Sequence, residues 1–168
     1  MELIIIIDIK IQGEKASILG YSIDRIDHEI KGENNMQKDM GPNVHALHLK
    51  DATKENTTFR TAIWTGKNLQ LTVMSIAPGD DIGMEVHTKE DQFFRIEKGN
   101  ARLEAGEDKD NMTFVQDVKK GFGIFIPAGT WHNIINTGDE ALKLYTIYAP
   151  THHAHGTVHV TKDDDTHD

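Results

Sequence analysis

The chain has 168 residues, 38% of them hydrophobic and 27% charged, which suits one globular domain with a real core rather than a disordered polyelectrolyte or a membrane protein. Its 18 Lys and Arg stand against 27 Asp and Glu, and the net charge of -9 repels nucleic-acid backbones and anionic bilayers, so neither is expected as a partner. There is no cysteine, which excludes disulfides, thiolate metal sites and a cysteine nucleophile, and leaves only nitrogen and oxygen donors for any metal.

Residues 1–40 read as an N-terminal arm, an isoleucine run at 4–7 followed by an irregular polar stretch. That run is far shorter than the roughly 20 apolar residues of a membrane span and has no basic leader, so a cytoplasmic protein is the expectation. From 41 to 150 the pattern changes to short β-rich runs, at 44–49, 59–64, 69–76, 84–87, 92–97, 101–105, 113–118, 122–126, 131–136 and 142–148. Glycine or proline stands in the turns between them, as in Thr65-Gly66-Lys67, Pro78-Gly79-Asp80 and Thr137-Gly138-Asp139. Helical periodicity is nearly absent, and short strands without crossover helices predict antiparallel pairing in an all-β sandwich or barrel. Residues 151–168 form a tail rich in His and Asp, with His152, His153, His155 and His159, for which a solvated terminus is the expectation.

Two segments carry the chemistry. Gly121, Pro127, Gly129, His132 and Asn136 have the spacing G-x5-P-x-G-x2-H-x3-N, and Gly79, Glu85, His87, Gln92 and Gly99 stand in the frame G-x5-H-x-H-x4-E-x6-G. These resemble the two motifs of the cupin superfamily, the first with Glu85 in place of a histidine and Gln92 in place of the glutamate. The resemblance implies a cupin double-stranded β-helix, a jelly-roll barrel, with the arm as an N-terminal extension.

The spacing also has its own physical reason. Residues two apart on a strand share a face, so Glu85 and His87 project together, Gln92 opens the next strand, and His132 arrives from a distant turn. Four donors converging inside a small barrel predict one divalent ion held by Glu85, His87, Gln92 and His132. One imidazole fewer and one amide oxygen more shifts preference from copper or nickel toward zinc, iron or manganese.

Trp64-Thr65-Gly66-Lys67, Glu85-Val86-His87 with Asp91-Gln92-Phe93, and the run at 127–133 are further similar to single-domain cupins of the mannose-6-phosphate isomerase-like type. That resemblance implies a metal-dependent isomerase; an iron-dependent dioxygenase and a non-catalytic metabolite- or metal-binding module are the alternatives. No catalytic acid or base is identifiable, and Lys67 and Lys89 are the candidate phosphate contacts. Phe93, Phe94, Phe122, Phe125 and Tyr148 are read as barrel core, and Trp131, beside His132, as a candidate to line the mouth. A small molecule is the expected partner, and a homodimer the expected assembly.

Overall fold

In a computed structural model of the chain, Lys10–Ile11, Glu14–Lys15 and residues 38–165 are described. The chain divides into two compact units, Met1–Met36 and Gln37–Asp168. In the first, β1 (Lys10–Ile11) pairs antiparallel with β2 (Glu14–Lys15). The rest of the expected arm up to residue 37 lies outside the described residues.

The second unit opens with an irregular stretch and then α1 (Leu49–Glu55). Nine strands follow among the described residues: β3 (Arg60–Thr65), β4 (Gln70–Ile76), β5 (Asp91–Lys98), β6 (Asn100–Gly106), β7 (Phe114–Lys119), β8 (Gly123–Ile126), β9 (Trp131–Asn136), β10 (Leu142–Ala149) and β11 (Val158–His159). They form a six-stranded sheet in the order β11-β3-β4-β10-β5-β8 and a three-stranded sheet in the order β7-β6-β9, all antiparallel.

Alternation along the strands fills the space between the sheets. Phe94 and Ile96 of β5, Leu142 and Leu144 of β10, Met74 and Ile76 of β4, Ile124 and Ile126 of β8, Leu103 of β6 and Ile134 of β9 form one buried cluster. Full burial of each such side chain contributes about 1.5–3 kcal/mol. A smaller cluster of Ile63, Leu71 and Val73 lies on the other face of the large sheet, covered by Leu49, Trp64, Tyr145 and Ile147.

The same inward rows turn polar toward one end. Register places Tyr148 opposite both Gln92 and Gln70, and Thr146 opposite both Phe94 and Thr72. Gln70, Thr72, Gln92, Thr146 and Tyr148 are all buried. The barrel is therefore apolar at its Leu142 end and hydrogen-bonding at its Tyr148 end.

Four expectations change. The run at 44–49 is not a strand: Val44 is fully exposed, and the chain turns into α1. The run at 84–87 is not a regular strand either. Asp81 bridges Ile135 and Glu85 bridges His132, so one strand advances four residues while β9 advances three, the signature of a bulge, with Gly83 at φ 90°. Phe125 is not core but 79% exposed, its ring 4.9 Å from that of Phe93 on the outer face.

The tail, finally, is not a solvated terminus. Gln70 Nε2 donates to the His153 carbonyl at 2.9 Å, and Gln70 Oε1 accepts from the His153 N–H at 2.8 Å. Beyond it, β11 pairs with β3, and Lys162, on a 3-10 turn (Lys162–Asp164), bonds both Asp80 and Asp81. A buried glutamine amide satisfied by backbone groups docks this segment across the polar end of the barrel.

Candidate metal centre

Glu85 and His132 form a hydrogen-bonded pair across the bulge, Glu85 N–H to His132 O at 3.0 Å and His132 N–H to Glu85 O at 2.9 Å. Directly opposed residues share a face, so both side chains point inward. His87 is fixed by its carbonyl, which accepts the Gly129 N–H at 2.7 Å. Gly129 sits at φ 81°, a conformation that favours glycine, and this turn ties the two motifs together. Gln92 enters as the first inward residue of β5.

The four tips meet. His87 Nε2 and His132 Nε2 lie 3.3 and 3.2 Å from the same oxygen, Glu85 Oε1, and Gln92 Nε2 lies 3.4 Å from it and 3.3 Å from Thr146 Oγ1. Glu85, His87, Gln92 and His132 are all buried. Yet His87 Nε2, His132 Nε2 and Gln92 Oε1 have no hydrogen-bond partner among the described residues. His132 Nδ1 is 3.0 Å from the Thr130 carbonyl, which can only accept, so Nδ1 carries a proton and Nε2 is the ring nitrogen turned inward, toward Glu85.

Burial raises the Glu85 carboxyl, but His132, His87 and the Arg60 charge outweigh it and hold the group well below the usual carboxylate range. Donors about 2.1 Å from one ion stand about 3.0–3.4 Å apart, the separation found between the imidazole nitrogens and Glu85. The residues present fit a divalent ion: one ionised carboxylate and two buried imidazole nitrogens converging on it, where a cation takes the place of protons.

Sequence reasoning did not find the layer above them. Arg60 begins β3, is 1% exposed, and donates through one nitrogen to both carboxylate oxygens of Asp165 at 2.8 and 2.7 Å. Its other terminal nitrogen lies 3.9 Å from Glu85 Oε2. The only signal in the sequence was an arginine within an otherwise apolar and hydroxyl-bearing strand.

His152 stacks on Tyr148 at 5.2 Å and meets the His87 ring edgewise at 4.3 Å, and His87, Glu90 and His152 form a second group with metal-ligand spacing. Burial, with Arg60 nearby, lowers His153 to about 3, while burial raises the Tyr148 phenol. Trp131 precedes His132 on β9 and so lies on the opposite face from the ligands. Lys67 and Lys89 are exposed. An apolar groove of about 560 Å³ between β7 and β8, lined by Leu103, Phe114, Phe122 and Ile124, contains none of the four predicted ligands.

A double-stranded β-barrel with this cluster inside defines a class, and comparison with known proteins agrees. A cupin domain is matched over residues 72–148. The chain belongs to the cupin family. It is 52% identical over 131 residues to YrkC of Bacillus subtilis, covering 78% of this chain and 70% of that protein. It is 41% identical over 120 residues to L612 of Acanthamoeba polyphaga mimivirus, covering 71% of this chain and 73% of that one. The crystal structure of BH2720 from Bacillus halodurans superposes with a TM-score of 0.75 at 50% identity, over 76% of this chain and 96% of that chain. TT1209 from Thermus thermophilus shares the fold at 19% identity, with a TM-score of 0.54, over 64% of this chain and 98% of that one. Among the described residues no helix is long and apolar enough to cross a membrane.

Proposed function

We propose that this cupin binds one divalent ion through Glu85, His87, His132 and Gln92, and that it acts at that centre on a small polar molecule. What carries the reading is the approach of two unpartnered imidazole nitrogens, at 3.3 and 3.2 Å, to one Glu85 oxygen. Gln92 is assigned as the weaker fourth donor. It now turns its nitrogen toward Glu85, and ligation calls for its oxygen, the atom without a partner.

The bound ion would supply a Lewis acid that polarises an oxygen of the substrate. Around it the chain's own residues do the rest. Glu85 provides the single negative charge of the donor set, Thr130 holds the His132 tautomer, and Phe94 and Tyr148 keep the interior dry. Zinc, iron and manganese suit two imidazoles, a carboxylate and an amide oxygen.

Of the activities open to such a centre, isomerisation of a sugar phosphate rests on the motif resemblance alone, since Lys67 and Lys89 face solvent. An iron-dependent dioxygenase and a non-catalytic binding module use the same ligands. Metal analysis of untagged protein decides the foundation: one ion per chain is expected, falling below about a tenth of that in His87→Ala and His132→Ala. His152→Gln and His155→Gln control for metal held by the C-terminal histidines. Equal metal in the wild type and the His87→Ala/His132→Ala double variant would overturn the proposal. Oxygen uptake with enol substrates, against interconversion of mannose 6-phosphate and fructose 6-phosphate, then separates the activities.

A further inference from the structure

Arg60 has five N–H donors, yet only one of its nitrogens makes hydrogen bonds, and the other terminal nitrogen has no more than a long ion pair of 3.9 Å with Glu85. Asp165 sets both oxygens against that single terminal nitrogen, at 2.8 and 2.7 Å, rather than along a two-nitrogen edge of the guanidinium. Its Nε and second terminal nitrogen have no hydrogen-bond partner among the described residues, although the side chain is 2% exposed. The Tyr148 hydroxyl, fully buried, makes no hydrogen bond of good geometry there, with Thr146 its nearby polar neighbour, and Thr72 Oγ1 makes none either. A planar edge of two N–H donors is the shape that recognises a carboxylate with both oxygens, and a buried guanidinium rarely leaves it idle.

Charge points the same way. Among the innermost groups a divalent ion and Arg60 bring three positive charges, and Glu85 and Asp165 two negative ones, with Glu90, 17% exposed beside His152, the next acid outward. That innermost layer carries an excess of about one positive charge, which favours an anion over a neutral ligand.

We propose that the molecule handled at the metal centre is a small monocarboxylate, gripped along the unused edge of Arg60 with the Tyr148 hydroxyl as a further donor, while Asp165 holds the guanidinium in place. Arg60 is thus a substrate-binding residue, and Asp165 a positioning residue whose charge limits how tightly the anion binds. The inference rests on the metal reading for its charge count, but the idle edge of Arg60 is independent of the ion.

The test is calorimetric titration of acetate and pyruvate, with acetamide as the neutral match, into metal-loaded and metal-stripped protein whose metal content is measured in the same samples. In loaded wild type, saturable carboxylate binding is expected at least about ten-fold tighter than acetamide, and it is expected to weaken at least about ten-fold in Arg60→Lys, which keeps the charge and loses the edge. Asp165→Asn keeps the shape and removes one negative charge, so carboxylate affinity is expected to rise about ten-fold, in stripped protein as well as loaded, with acetamide unchanged. A purely structural Arg60–Asp165 pair would not give that gain. No saturable carboxylate binding by folded Asp165→Asn, or equal binding of acetamide, overturns the proposal. A chain that holds no metal while Asp165→Asn still gains carboxylate affinity overturns the metal reading and leaves the Arg60 site standing.

Discussion

His132 shows how one residue can be fixed twice over. Its backbone is locked to Glu85 across the bulge and its Nδ1 to Thr130, so Nε2 has one direction to point. Gln92 is held only by long contacts of 3.3 and 3.4 Å. Gln92→Ala is accordingly expected to keep one metal ion per chain at about ten- to a hundred-fold weaker affinity, against outright loss in His132→Ala, as read by competition with a chelating dye. His153 offers a pH test. Burial holds it neutral in the folded state, down to about 3, while in the unfolded chain it titrates near its ordinary value of 6.5. Between those values the unfolded state binds more protons, so stability is full above the unfolded value and falls by at most about 1.4 kcal/mol per pH unit below it. Urea unfolding of metal-stripped protein between about pH 6 and 4 should show that slope, and His153→Gln should flatten it by about the same amount. The four proposed ligands were legible as a group because their spacing is local to two short motifs. Arg60 was not, because its meaning comes from Asp165, 105 residues away, and from Glu85 across the barrel.

At the scale of elements, the motif residues outside the ligand set are explained by geometry. Gly129 takes φ 81° and donates to the His87 carbonyl, and nothing lies within 4 Å of where a Cβ would stand. Gly129→Ala therefore meets no clash and costs only the backbone conformation, about 1–2 kcal/mol by denaturant unfolding, with weaker metal binding because His87 hangs from that bond. Asn136 is buried in β9, and its amide donates to the Ile76 and Glu140 carbonyls at 2.9 Å while its oxygen accepts from Gly138 at 3.0 Å. It joins β9 to the end of β4 and to the turn before β10, so Asn136→Ala, which strands buried carbonyls, is expected to cost about 3 kcal/mol. Strand alternation describes β5 and β10, where Gln92, Phe94, Ile96, Leu144 and Tyr148 face inward, and it corrects the reading of Phe93 as core, since neighbours on a strand point to opposite faces and Phe93 lies outside with Phe125. It failed at 84–87, because a one-residue bulge breaks the period of two on which such reasoning depends. It failed also at α1, a seven-residue helix with no side-chain cap at His48, too short to show a period of its own.

For the whole molecule, the decisive fact is where the interactions of the site begin and end. The four proposed ligands, Arg60, Tyr148, both principal sheets and the segment that closes the polar end all belong to the unit Gln37–Asp168. The C-terminal stretch looked like a solvated tail because its composition is polar. Its docking uses backbone groups on Gln70 and a buried ion pair, neither of which leaves an apolar pattern to read. The match to BH2720 takes in 76% of this chain and 96% of that one, a share close to that of the second unit. A fragment spanning residues 37–168 is therefore expected to fold cooperatively, with its midpoint of thermal unfolding within a few degrees of the full chain and the same metal stoichiometry. The reason is that the apolar core and the metal site are built from residues of the second unit. Calorimetry and metal analysis of the fragment check this, and a fragment that unfolds early or binds no metal would contradict it.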